Sequence, residues 1–166
     1  MREHSSILHF FRFISMTAND VYEIKRKLNI DVIWQIFNEI KNTSVFGKKN
    51  KVRVSCGVTA DFTRYGRNIA SKNKLQKKIL FDARLASALQ TCIASLGFPP
   101  QELPTLVGGW HLGTCAEDDA ANQVLNRYAS ISLSDLFFSK AVNPITLEKV
   151  DYCLICCDVF GLDNNV

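Results

Sequence analysis

Two hydrophobic periods alternate along the chain. Between 19 and 43, Val21, Ile24, Leu28, Val32, Ile33, Ile36 and Ile40 recur three and four residues apart, which predicts an amphipathic helix capped by Asn19 or Asp20. Between 51 and 62 the period falls to two. Val52, Val54, Cys56 and Val58 share one face of a predicted strand, which turns through 60–66 so that 64–70 returns as a second strand. The helical period resumes over 73–97 with Leu75, Ile79, Leu85, Leu89 and Ile93, and Gly97 followed by Pro99 and Pro100 ends it. Residues 98–109 read as loop and 115–128 as a helix. The mixed pattern of 130–149 places a short helix around 135–141. Residues 150–155 read as a short buried strand, and 157–161 as a last helical turn or loop. The order α, β, β, α, α, β predicts an α/β layered domain with a small sheet covered by helices.

Composition narrows this little. The 166 residues are 47% hydrophobic and 22% charged, which suits one globular domain and excludes disordered and collagen-like classes. We assign 1–18 to an N-terminal segment and 19–166 to the single domain. The apolar stretch 5–16 is interrupted by Arg12 and has no small-residue cleavage site behind it. It reads as a terminal strand or helical turn over the core rather than a secretory signal, with Met16 as an alternative start. No apolar run reaches the ~20 residues of a membrane span, so no membrane partner is expected.

Charge and cysteine change the picture more. Residues 1–100 carry 17 Lys and Arg against 7 Asp and Glu, whereas 101–166 carry 3 against 9. The basic half, with runs at 47–53 and 64–78, suits either a solvated face or attraction to phosphates. The six cysteines lie at 56, 92, 115, 153, 156 and 157, three of them within five residues. That crowding suits reduced cytosolic thiols and metal ligation better than a disulfide framework. Cys56 on its strand and Cys92 in its helix read as core.

The chemistry gathers in two stretches, 109–125 and 151–161. Thr114-Cys115-Ala116-Glu117 has the form of a helix capping box, which explains Thr114 and Glu117 but not Cys115. As ligands, Cys115 stands at a helix start that favours thiolate, and Cys153 with Cys156 has the C-x-x-C spacing that brings two sulfurs to one ion. Three protein ligands plus water make a catalytic zinc site, and a fourth would make a structural one. Glu117, two residues past the first ligand, can then move protons beside the water without ligating. Cys157 reads as a buried neighbour of the site, with a fourth-ligand role as the alternative. His111 precedes Cys115 by four and can approach metal or substrate, or be satisfied by a carbonyl. Trp110 and Tyr152 flank the motifs and can stack on a base or pack in the core. Asp118 and Asp119 read as favourable charges at a helix N-terminus.

Cys-Ala-Glu opening a helix, followed after a strand by Cys-x-x-Cys, resembles the signature of the zinc-dependent cytidine deaminase superfamily. Its branches act on nucleosides, nucleotides, tRNA and DNA, and some are bacterial toxins. The resemblance rests on Cys115, Ala116 and Glu117, then Cys153 and Cys156, with 38 residues from Cys115 to Cys153. It implies Zn2+ held by Cys115, Cys153 and Cys156, Glu117 as the proton shuttle, and Ala116 among the substrate-binding residues. Asn68-Ile69 resembles the sugar-binding Asn of the free-nucleoside enzymes, with a turn residue as the alternative. The run 153–161 looks most like the toxin-type branch. Two departures stand out: Tyr152 occupies a position usually held by proline, and a whole helix is inserted between Asn68 and Cys115.

The implied fold is cytidine deaminase-like, in α-β-α layers with a small mixed sheet. Ten residues follow Cys156 here, so its C-terminal end is expected to be shortened, and the N-terminal stretch, a second copy or a partner chain would complete it. The implied activity is hydrolytic conversion of a cytosine base to uracil in a nucleotide or single-stranded nucleic acid. The setting would be the cytoplasm, or a target cell's cytoplasm for a toxin. Two rivals remain: a non-catalytic domain of this fold with a structural zinc that binds nucleic acid or a protein, and a metal-free interaction protein with reduced cysteines.

Overall fold

A computed structural model describes residues 16–42, 56–60, 80–143 and 146–165. The expected strand 64–70 with Asn68, the first parts of strand 51–62 and helix 73–97, and the N-terminal stretch 1–15 lie outside the described residues.

Helix α1 spans Ala18–Asn42. Its cap is Thr17 rather than Asn19 or Asp20. The Thr17 N–H donates to Asp20 Oδ2 at 2.8 Å and the Asp20 N–H to Thr17 Oγ1 at 3.2 Å, so two amides that lack helical partners are satisfied reciprocally. Ile24, Leu28 and Val32 are buried, whereas Ile33, expected on the same stripe, is exposed. A four-residue spacing keeps the buried arc narrow. The buried stripe lies against Gly57, where a Cβ would stand 2.4 Å from Val32 Cγ2. The Lys140 N–H donates to Asn29 Oδ1 at 2.7 Å and ties α1 to the segment beyond it.

Strand β1 (Val58–Thr59) pairs antiparallel with β4 (Phe137–Phe138), Val58 opposite Phe138. Ser139 extends the ladder, its N–H donating to the Gly57 carbonyl at 2.9 Å and its Oγ accepting from the Gly57 N–H at 2.8 Å. Helix α2 is Ala83–Ser95, with Leu85, Leu89, Cys92 and Ile93 buried as expected. Residues 80–82 are not helical, and the reason is local. Asp82 caps α2 through the Arg84 N–H, while Asn122 accepts the Asp82 N–H at 2.8 Å and donates to the Leu80 carbonyl at 3.0 Å.

Residues 98–109 are not wholly loop. β2 (Thr105–Val107) and β3 (Trp110–Leu112) form a hairpin through Gly108 and Gly109, whose φ values of 55° and 87° suit a turn that matches strand twist. Helix α3, Ala116–Arg127, is buried along most of its length. The helix expected at 135–141 is replaced by a single 3-10 turn, Leu133–Asp135, followed by β4 and β5 (Ala141–Val142). β5 pairs antiparallel with β6, Lys149–Val150. The expected strand 150–155 stops at Val150, and helix α4 runs Leu154–Phe160.

The architecture is mixed α/β, with four helices and six short strands among the described residues. Those strands form three separate antiparallel pairs instead of one mixed sheet. α1 packs on β4, α3 on β1, and α2 on both α3 and α4. The core runs between them through Val58, Leu85, Leu89, Ile93, Leu112, Val124 and Leu125.

Candidate metal centre

Two helix starts meet at the cysteines. The chain leaves β3 through Gly113, whose φ of 76° favours glycine and where a Cβ would stand 2.7 Å from Phe81 Cζ. That close turn delivers Cys115 as the N-cap of α3. The N3 partner is Asp118, whose Oδ2 accepts the Cys115 N–H at 3.4 Å. The expected Thr114–Glu117 capping box is therefore displaced by one residue, and the cap uses Asp118. At the other start Cys153 caps α4, its sulfur accepting the Cys156 N–H at 3.4 Å.

The sulfurs of Cys115, Cys153 and Cys156 all lie within 4.8 Å of one another, and Cys115 Sγ is 3.4 Å from Cys153 Sγ. An ion held tetrahedrally at ~2.3 Å from each sulfur needs sulfurs ~3.8 Å apart, which this spacing accommodates. Three sulfur donors are the soft set that suits zinc. Glu117 is buried, and its Oε2 accepts from Cys156 Sγ at 3.6 Å. The three cysteines thus lie together with the carboxylate beside them.

The electrostatics follow from that crowding. Hydrogen bonds from Cys115 and Cys156 hold the Cys153 thiol far below the ordinary thiol range, while donation to Cys153 holds Cys115 up. Cys156 is raised by its bonds to Cys115 and Cys153 and by burial. The Cys153 sulfur also stands at the start of α4, where its contact with the Cys156 N–H favours negative charge. Asp118, fully buried, is pushed up to about 8 by desolvation and then by the neighbouring Cys153 and Glu117 charges. Its Oδ1 has no hydrogen-bond partner. A buried run of acids was not expected here: Asp118 and Asp119 face inward instead of standing as surface dipole charges.

The other sequence candidates lie elsewhere. Cys157 is half-buried, with its sulfur 4.0 Å from the Tyr152 carbonyl, and it is not among the converging ligands. His111 is exposed on β3 opposite Leu106 and is likewise absent from the ligand set. Trp110 sits in β3 opposite Val107. Ala116 is buried as the first residue of α3. Tyr152 is a core residue, donating from its hydroxyl to the Ser139 carbonyl at 2.6 Å, with Lys140 Nζ 5.7 Å from its ring centroid. Cys56 and Cys92 are buried core thiols as expected. Asn68 lies outside the described residues. Asp118 is the site residue that sequence reasoning misplaced. Its signal was faint: three consecutive acids on a helix whose remainder is mostly small and apolar, so that a helix buried on most sides takes them inward with it.

No family model, curated protein or solved structure matches the chain. Among the described residues no helix is long and apolar enough to cross a membrane.

Proposed function

We propose that the chain is a zinc-dependent hydrolytic deaminase that converts a cytosine base to uracil in a nucleotide or single-stranded nucleic acid, in the manner of the toxin-type branch. One observation carries the proposal: three cysteine sulfurs within 4.8 Å of one another and the buried Glu117 carboxylate 3.6 Å from one of them. Cys115, Cys153 and Cys156 would hold the zinc, whose chemistry is to make a water nucleophilic at neutral pH. Cys157 stands outside the converging set, so the donor count among the described residues is three, which favours this reading over a closed structural zinc.

The chain's own part falls to Glu117. Its carboxylate takes a proton from the water that adds to C4 of the base and delivers it to the departing amine, so that water and cytosine give uracil and ammonia. Burial keeps bulk water from competing for that proton. The excess of 17 Lys and Arg over 7 Asp and Glu in residues 1–100 supports a phosphorylated or polymeric substrate.

The test is ammonia release from cytidine, cytidine phosphates, single-stranded DNA and single-stranded RNA, with zinc-loaded wild type and Glu117→Gln. Turnover of at least one substrate, lowered by at least about 100-fold in Glu117→Gln with zinc content unchanged, is expected. Equal turnover in both proteins removes Glu117 from the chemistry. No turnover of any cytosine substrate by zinc-loaded wild type sinks the proposal.

A further inference from the structure

The segment after α4 does specific work beside the cysteines. Gly161 takes a left-handed conformation (φ 62°, ψ 36°) and closes α4. The Leu162 N–H then donates to the Cys157 carbonyl at 3.1 Å, reversing the chain, and Leu162 packs on the cluster of Ala141, Tyr152 and Cys156. Asn164 arrives next to Tyr152. Its Oδ1 accepts the Tyr152 N–H at 2.8 Å, and its Nδ2 donates to the Tyr152 carbonyl at 3.0 Å. β6 ends at Val150, and among the described residues no strand pairs with these two backbone groups. One side-chain amide satisfies both, as a neighbouring strand would. Nδ2 also lies 3.9 Å from Cys157 Sγ.

We infer that Asn164 is a positioning residue for the metal centre: its amide fixes the backbone of Tyr152, and through it the first cysteine of Cys153-x-x-Cys156. The inference rests on the metal-binding part of the proposed function and is independent of the reaction. Cys153 leaves Tyr152 through a single peptide bond, so the orientation of that peptide sets where its sulfur stands relative to Cys115. Free backbone at Tyr152 would let the Cys153 sulfur wander from the position where it and Cys115 can share one ion, and the metal would dissociate faster. Outer partners that orient metal ligands typically contribute about 10–100-fold in affinity.

The test is zinc affinity by chelator competition on the full chain, with thermal melting of zinc-loaded and zinc-free protein alongside. Asn164→Ala should bind zinc at least about tenfold more weakly than wild type, and its melting temperature should fall further in the loaded protein than in the zinc-free one. Asn164→Asp, which keeps the acceptor for the Tyr152 N–H and loses the donor, should fall between them and keeps the test open if the alanine variant does not fold. Asn165→Ala is the control, since its side chain bonds only Asp163, and it should leave affinity unchanged. Zinc bound by wild type and equally well by Asn164→Ala overturns the inference. So does an equal loss of stability in loaded and zinc-free protein with no change in affinity, which marks Asn164 as structural only. Wild type that takes up no zinc overturns the metal reading itself and this inference with it.

Discussion

Glu117 and Asp118 are adjacent, acidic and buried, yet their surroundings give them different tasks. Asp118 spends one oxygen on the Cys115 N–H, and desolvation pushes its carboxyl up to about 8. Glu117 is turned toward Cys156. With the helix cap at Cys115, the N3 position belongs to Asp118, and the Glu117 carboxylate stands beside Cys156, where the proposed proton shuttle needs it. Thr114 is buried, and Thr114→Val, which keeps its shape and removes only the hydroxyl, should therefore lower stability by well below the ~1 kcal/mol of a lost cap in a urea titration. A loss of 1 kcal/mol or more would return the cap to Thr114 and Glu117. That Cys115, Cys153 and Cys156 come together was legible in the sequence, because C-x-x-C spacing brings two sulfurs to one point and Cys115 stood at an expected helix start. The inward turn of Asp118 and Asp119 was not, because a run of three acids at a helix start reads as surface charge, whereas all three are buried. Asn164 carried no signal at all, since its partner is backbone.

At the scale of the element, Arg84 joins two helices. Its guanidinium pairs with both Asp82 oxygens at 2.7 Å and donates to the carbonyl of Leu125, in the last turn of α3, and to those of Tyr128, Ala129 and Ile131 in the segment that follows. The start of α2 is thereby bolted to the end of the helix whose other end carries Cys115. Arg84→Ala should lower unfolding stability by about 2 kcal/mol, measured by urea titration, because several part-buried carbonyls and the Asp82 carboxylate lose a charged donor together. The pair also sets an acid limb. The Arg84 hydrogen bonds hold the Asp82 carboxyl below its ordinary value of 3.8, so its contribution is present above that value and is lost as pH falls through the lower folded-state value. Asp82→Asn should flatten the dependence of stability on pH below about 4, and an unchanged acid limb would contradict the pairing. Periodicity showed that α2 exists and which face it buries. It did not show that α2 begins at Ala83, because the side chains that hold Leu80 and Asp82 out of the helix come from α3.

Across the whole molecule, helices pack on short antiparallel pairs, and the sheet expected from the sequence is divided among them. The hairpin at Gly108-Gly109 was missed because its strands are three residues each, too short for a period of two to register. The strand expected at 150–155 gave way to a helix start for a similar reason: a buried apolar run reads alike in both forms until its cap is seen. The close approach of α1 to Gly57, the residue before β1, is testable. Gly57→Ala should lower stability by about 1–3 kcal/mol, because its Cβ would meet Val32 at 2.4 Å, and a neutral outcome in thermal melting would contradict that approach. All of these contacts converge on one consequence, which is that residues 115, 153 and 156 meet from two helix starts. The most direct measurement is zinc content per chain by elemental analysis, on wild type and on Cys115→Ser, Cys153→Ser, Cys156→Ser and Cys157→Ser. The account predicts one zinc in wild type and in Cys157→Ser, and its loss from each of the other three. No zinc in wild type, or a zinc that needs Cys157 as much as the others, would contradict an open three-cysteine centre.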